Sequence, residues 1–290
     1  MKVNWITRGL AAGSLALVIS GCSATAQSDG GSNVLHRIPL ETTQGRTLFS
    51  ASIDGSDPAL FMLDTGGSDG VFTRAYVDSA GLRSGEPQEL RSPLGGYVEM
   101  VDTAVYDSIA FGDLTLSGRS ALIIEEGRFP VPGGNGVVSL NPFRDYIVEF
   151  DLGASELRVV SAPGTSVATW LPHPEDATFL SLDLEVAGET IPAHIDSGNP
   201  GMITLPLEFA EHLSLEGELR EAGRFRTVDA ERIFYEGTLL APIDIGGIMY
   251  APETVRFAEL PFANIGSAVL MNWVLVIDGP GERFGLYERD

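Results

Sequence analysis

The tripeptide Asp64-Thr65-Gly66 returns as Asp196-Ser197-Gly198, 132 residues later. Each copy ends an apolar run, Ala59 to Leu63 in the first and Ile191 to Ile195 in the second. An acid on a glycine turn is a common motif by itself. Two copies in matching surroundings mean a duplicated chain, whose halves must repeat each other's strands. They also mean two carboxylates, one from each half, that symmetry can bring to a common seam.

The landmarks around the acids support that reading. A run over 47–53, a turn at Asp54-Gly55 and the strand into Asp64 are matched by 179–186, Ala187-Gly188 and the strand into Asp196. Alternation and turn chemistry make both of these hairpins. Short helices are predicted after each acid, over 73–80 and 206–213, with Pro206 at a first helical position where its missing N–H costs nothing. Ile109-Ala110-Phe111-Gly112 is matched by Ile243-Asp244-Ile245-Gly246, and the stretch Val137 to Phe143 by Ala268 to Trp273, with Asn141 aligned to Asn272. Each half closes on an acid and a last strand, Asp151 with 157–159 and Asp278 with 284–286. Strands dominate and helices are short. The expected class is therefore all-β, with two pseudo-symmetric barrel-like lobes at 35–162 and 163–290, separated near 162–166.

The first 21 residues read as a leader. Lys2 and Arg8 precede an apolar stretch that closes on Ile19-Ser20-Gly21-Cys22. That closing run resembles the lipobox of bacterial lipoproteins, which implies cleavage before Cys22, lipidation of its thiol and a flexible tether over 22–34. An ordinary signal peptide and a retained anchor are the alternatives, although the run is short for a span of about 20 residues. The resemblance implies a lipid-anchored, periplasm-facing protein of the bacterial envelope. Ser23 after the cysteine favours the outer membrane. Cys22 is the only cysteine, so no disulfide can form within the chain.

Charge excludes several classes of partner. After the leader there are 16 basic residues (18 − 2) against 40 acidic ones, a net of −24. Such a surface repels nucleic acid and anionic membrane, so contact with a membrane would come through the lipid alone. No lysine follows Lys2. That removes Schiff-base chemistry, pyridoxal-phosphate attachment and a P-loop lysine.

With Leu63-Asp64-Thr65-Gly66 and Ile195-Asp196-Ser197-Gly198 in place, the chain resembles the aspartic peptidases of the pepsin and retropepsin type. Each half is nearer in size to a retropepsin subunit, so the whole resembles a single-chain version of that dimer. The resemblance implies a bilobed acid-protease fold with Asp64 and Asp196 as the catalytic pair, Thr65 and Ser197 interlocking the two acid loops, and Gly66 and Gly198 allowing the tight turns. It implies no cofactor, a peptide or protein substrate, and a monomer that is complete in itself. Two carboxylates about 3 Å apart cannot both ionise, so they share a proton and can act on a bound water and a peptide carbonyl. The family position after each motif is held by Gly67 and Asn199; Gly67 has no side-chain donor, which predicts a working range less acidic than pepsin's. A flap is expected at 93–97 with Tyr97 closing over substrate, and a vaguer counterpart near 225–229. Where the family threads a glycine beneath each acid loop, the alignment puts Ser139 and Leu270. The alternative to an enzyme is an inactive envelope lipoprotein that binds peptides or proteins in the cleft.

Other readings of the same residues are weaker. Gly66-Gly67-Ser68-Asp69-Gly70 fits the G-x-S-x-G elbow, with His173, His194 and His212 downstream. That reading leaves the second Asp-Ser-Gly unexplained. His194 and Asp196 lie on one side of a strand and could start a metal site, but no ligand motif accompanies them, and no metal is expected. Asp151, Asp278, Asn141 and Asn272 are read as turn and loop hydrogen-bonding residues. Phe143, Trp170 and Trp273 are assigned to the core.

Overall fold

The computed structural model describes residues 33–43, 45–67, 70–92, 98–125, 134–164, 166–226 and 231–289. The leader, Cys22, most of the tether, Ser68, Asp69, the flap segment with Tyr97, and 227–230 all lie outside the described residues.

The protein is all-β and bilobed. The sheet of lobe one runs Arg83–Arg91, Val98–Val105, Ser120–Ile124, Gly70–Thr73, Gly136–Val138, Ala59–Leu63, Arg46–Ile53, Ser108–Phe111, Leu114–Ser117. The sheet of lobe two runs Leu215–Arg226, Glu231–Leu239, Val255–Ala258, Ile203–Pro206, Ala263–Gly266, Glu189–Asp196, Leu180–Val186, Ile243–Ile245, Ile248–Tyr250. Strand for strand the two orders are the same. Among the described residues lobe one adds only Glu41–Thr43, beside Arg46–Ile53.

Alternation builds these strands. In Leu180–Val186 the leucines and the valine are buried while Ser181, Asp183 and Glu185 face out. The hairpins turn where expected, with positive φ at both Asp54-Gly55 (49° and 76°) and Ala187-Gly188 (54° and 90°), as a two-residue primed turn requires. One apolar core runs through both lobes, from Phe49, Phe61 and Phe72 to Leu184, Ile195 and Phe257.

The ends of the halves depart from the sequence reading. The closing strands do not complete separate barrels. They join in a six-stranded sheet ordered Val34–Pro39, Glu156–Val160, Ile147–Asp151, Trp273–Asp278, Arg283–Glu288, Trp170–Pro172. At its centre Ile147 pairs with Asp278 and Phe150 with Leu275, antiparallel, so each half covers the strand edge the other leaves open. The first strand begins at Val34, which pairs with Val160.

The helices differ too. Arg74–Ala80 forms as predicted, with Thr73 capping Tyr76 N and Gly81 closing at φ 65°. In lobe two there is only a 3-10 turn, Leu207–Glu211. Pro206 stays extended (φ −60°, ψ 136°) as the last residue of its strand, not the first of a helix. Trp170 is half-buried on the edge strand of the joining sheet, with the Arg283 guanidinium 4.2 Å above its ring, whereas Phe143 and Trp273 are core as expected. Asp151 Oδ1 accepts from Ala154 N and Asp278 Oδ1 from Gly281 N, the turn-closing roles expected of them.

Candidate active site

Each acid stands at the end of a strand in the middle of its sheet. Leu63 turns into the core, and Met62 and Asp64 turn to the other face; Ile195 and His194 repeat this in lobe two. The two acid loops then meet across the lobe boundary in four buried hydrogen bonds. Thr65 Oγ1 donates to Ile195 O (2.8 Å) and accepts from Ser197 N (2.9 Å). Ser197 Oγ donates to Leu63 O (2.9 Å) and accepts from Thr65 N (3.1 Å). Thr65 is 1% exposed and Ser197 0%, so no water competes for these groups.

That lock brings each glycine against the opposite acid. A Cβ on Gly66 would lie 2.7 Å from Asp196 Cγ, and one on Gly198 would lie 2.8 Å from Asp64 Cγ. Any side chain there would push the carboxylates apart, so the glycines serve close approach. Gly66 N donates to Asp64 Oδ1 (2.7 Å), and Asn199 N to Asp196 Oδ1 (3.0 Å).

Burial is the main reason that Asp64 is pushed up to about 7, and the neighbouring Asp196 carboxyl, through its charge and as a hydrogen-bonding neighbour, adds to it. The Gly66 amide and the Arg46 guanidinium oppose the rise.

Three residues that sequence reasoning missed belong to this site. Arg46 Nη1 crosses from lobe one to donate to Gly198 O (2.7 Å). It sits at the start of the strand two before Asp64's turn, with no sequence signal to mark it. Asn264 Nδ2 donates to Asp196 Oδ2 (2.6 Å). Gly266 occupies the glycine position beneath the second acid loop, where a Cβ would lie 2.2 Å from Gly201 O.

This last finding corrects the alignment. Val138 pairs in parallel with Leu63, and Ile265 with Ile195. Ser139 therefore corresponds to Gly266, not to Leu270, and Asn141 does not correspond to Asn272. Leu270 is a buried core residue in the short helix Ser267–Leu270. The signal was present as Ile265-Gly266, but Asn264 broke the apolar run before it, and the repeated asparagine drew the alignment four residues along.

Residues 49–140, which hold Asp64, Thr65 and Gly66, match the model of a family described as aspartyl protease. The match supports an aspartic protease. It covers lobe one alone and ends just before Asn141, while Asp196 comes from the matching lobe. No curated protein matches the chain. Among the described residues no cluster of three His, Cys, Asp or Glu side chains could hold a metal ion, and no helix is long and apolar enough to cross a membrane.

Proposed function

We propose that the protein is an aspartic-type endopeptidase that hydrolyses peptide bonds with a water activated between Asp64 and Asp196. The observation that carries this reading is the reciprocal Thr65–Ser197 lock, which packs each acid loop's glycine on the other lobe's carboxylate. Residues that serve only a fold have no need of two carboxyls forced together without a counter-ion pair.

In the singly protonated pair, the carboxylate takes a proton from the water as its oxygen attacks the peptide carbonyl carbon. The carboxylic acid gives its proton to the carbonyl oxygen, so the tetrahedral intermediate is a neutral gem-diol. On collapse the C–N bond breaks, the amine leaves with a proton from the acid formed in the first step, and the diol's hydroxyl proton returns to the other carboxylate. The pair ends as it began, and no cofactor takes part.

A rise of Asp64 toward 7 widens the pH range in which the pair holds one proton, which supports a working range closer to neutral than pepsin's. Proteins or peptides of the bacterial envelope are the substrates this reading favours, reached by a monomer anchored through lipidated Cys22.

The test is incubation of the purified full-length protein with an unfolded protein mixture from pH 3 to 8, with cleavage sites read by mass spectrometry. Cleavage that disappears in both Asp64→Asn and Asp196→Asn supports the reading. A folded protein that cleaves nothing across that range would move the assignment to a peptide-binding lipoprotein.

A further inference from the structure

The two halves repeat each other in strand order, yet the sheet faces that bear the acids are chemically opposite. In lobe one, Leu48 pairs with Met62, Met62 with Val137, and Val137 with Val71. At the same register in lobe two, Ser181 pairs with His194, His194 with Asn264, and Asn264 with Thr204. Four apolar residues in one lobe answer four polar ones in the other. The apolar row is nearly dry, with Leu48, Met62 and Val137 at 1%, 1% and 2% exposure.

The polar row is wired to Asp196, and a backbone group fixes the direction of the wiring. Gly201 N can only donate, and it donates to Asn199 Oδ1 (2.8 Å). Asn199 must therefore present Nδ2 to Asn264, which accepts through Oδ1 (2.6 Å). Asn264 is then left with Nδ2 facing Asp196 Oδ2 (2.6 Å) and His194 Nε2 (3.0 Å), and its two hydrogens serve one each. His194 Nε2 must accept, so its ring is neutral with the proton on Nδ1. Phe179 stacks on that ring at 5.1 Å and Phe262 lies 4.5 Å away, excluding water from it. Burial lowers the tendency of His194 to protonate, in keeping with the acceptor role. Among the described residues Asp64 has no such relay; Val137 stands where Asn264 stands.

We propose that Asn264, its amide aligned by Asn199 and His194, is a positioning residue that holds Asp196 as the ionised member of the pair and makes Asp64 the acid. This rests on the peptidase reading above. Asp196 is then the base toward water and Asp64 the proton donor toward the carbonyl. Among the described residues, the other titratable groups that act on the pair are Arg46, toward Asp64, and His194, toward Asp196. Neutral His194 leaves Arg46 as the cation, and it is bound to Gly198 O and not to a carboxylate.

The register supplies the variants. Asn264→Val and His194→Met install lobe one's own residues, and His194→Gln keeps an acceptor that does not titrate. A hydrogen bond to a charged group is worth enough that its loss should move the acid limb of the kcat/KM profile up by about one to two pH units in Asn264→Val. His194→Met should shift it the same way, and His194→Gln should restore the original limb. The full-length protein labelled with carboxyl-13C aspartate gives a readout independent of activity. As pH falls, the resonance missing from Asp64→Asn should be the one that protonates first, and that order should be lost in Asn264→Val. Unchanged melting temperatures would show that the variants fold. A limb in Asn264→Val that superimposes on the wild type, or first protonation of the resonance missing from Asp196→Asn, would overturn the proposal. A protein that cleaves nothing but shows the expected order of protonation would sink the peptidase reading alone.

Discussion

Thr65→Val tests the interlobe lock most directly, because valine keeps the volume and removes only the hydroxyl. The change leaves Ile195 O without its donor and Ser197 N without its acceptor, in a place with no access for water. Each buried unsatisfied group costs about 1–3 kcal/mol, so the pair costs roughly 2–6 kcal/mol before relaxation. Taking about 3 kcal/mol after some loop movement, the melting temperature should fall by roughly 6–12 °C for a protein of this size. Thr65→Ser is the control, since it keeps both bonds and loses a methyl worth about 0.8 kcal/mol. Calorimetry on both variants gives the stability, and hydrolysis of a peptide found in the cleavage screen gives the activity. Activity should fall by about 100-fold in Thr65→Val, because a displacement of about 1 Å at the reacting groups has that effect. Ser197→Ala orphans a different pair, Thr65 N and Leu63 O, but both hydroxyls belong to one hydrogen-bond network, so the loss in the double variant should depart from the sum of the two. If Thr65→Val melts within about 1 °C of Thr65→Ser and keeps its activity, the lock does not hold the carboxyls together.

The other predictions touch stability, packing and attachment. The folded state keeps Asp64 protonated up to about 7 while the unfolded chain ionises it near 3.8, so stability falls as pH rises through that interval. Asp64→Asn should remove this slope and be more stable than the wild type at pH 8 and equal to it near pH 3, by urea unfolding. Gly266→Ala places a Cβ 2.2 Å from Gly201 O and should lower both soluble yield and melting temperature, by more than about 3 kcal/mol in unfolding free energy. Cys22→Ser should move the protein from the membrane to the soluble fraction on cell fractionation, and intact-mass analysis of the wild type should show an added lipid.

The hairpins, the acid turns and the lobe pair were legible because each rests on local chemistry repeated at a near-constant offset. Asp54-Gly55 and Ala187-Gly188 announce their turns, and Thr65 and Ser197 announce a partner across the symmetry. What stayed hidden depends on contacts far apart in the chain. No local pattern says that Ile147–Asp151 leaves its lobe to pair with Trp273–Asp278. Arg46 reaches Gly198 across 152 positions, and Asn264 reaches Asp196 across 68, each through one side chain on an otherwise ordinary strand. The Leu270 error has the same origin, since a four-residue slide preserves the sequence echo but not the register. Pro206 shows a local rule overridden: its φ suits a helix start, but pairing of Pro206 with Ala258 keeps it in the sheet.

Where the halves still agree and where they have parted follows from what two copies in one chain allow. The lock needs a hydroxyl and an amide from each loop, so both lobes retain Thr65 or Ser197 with its glycine. The row beneath the acids carries no such reciprocity. In a dimer of identical subunits, Val137 and Asn264 would have to be the same residue, and the pair's proton would have no preferred home. A single chain is free of that constraint. One copy has kept a dry row of Leu48, Met62 and Val137 beside an acid that burial favours in its protonated form. The other has built a directed hydrogen-bond chain from Gly201 N to Asp196 Oδ2. On the proposal above, the division of labour between acid and base is set by the sheet before any substrate arrives. Installing the lobe-one residues in lobe two, as Asn264→Val with His194→Met, should restore the near-symmetry of a dimer. The double variant should then protonate its two carboxyls without a fixed order.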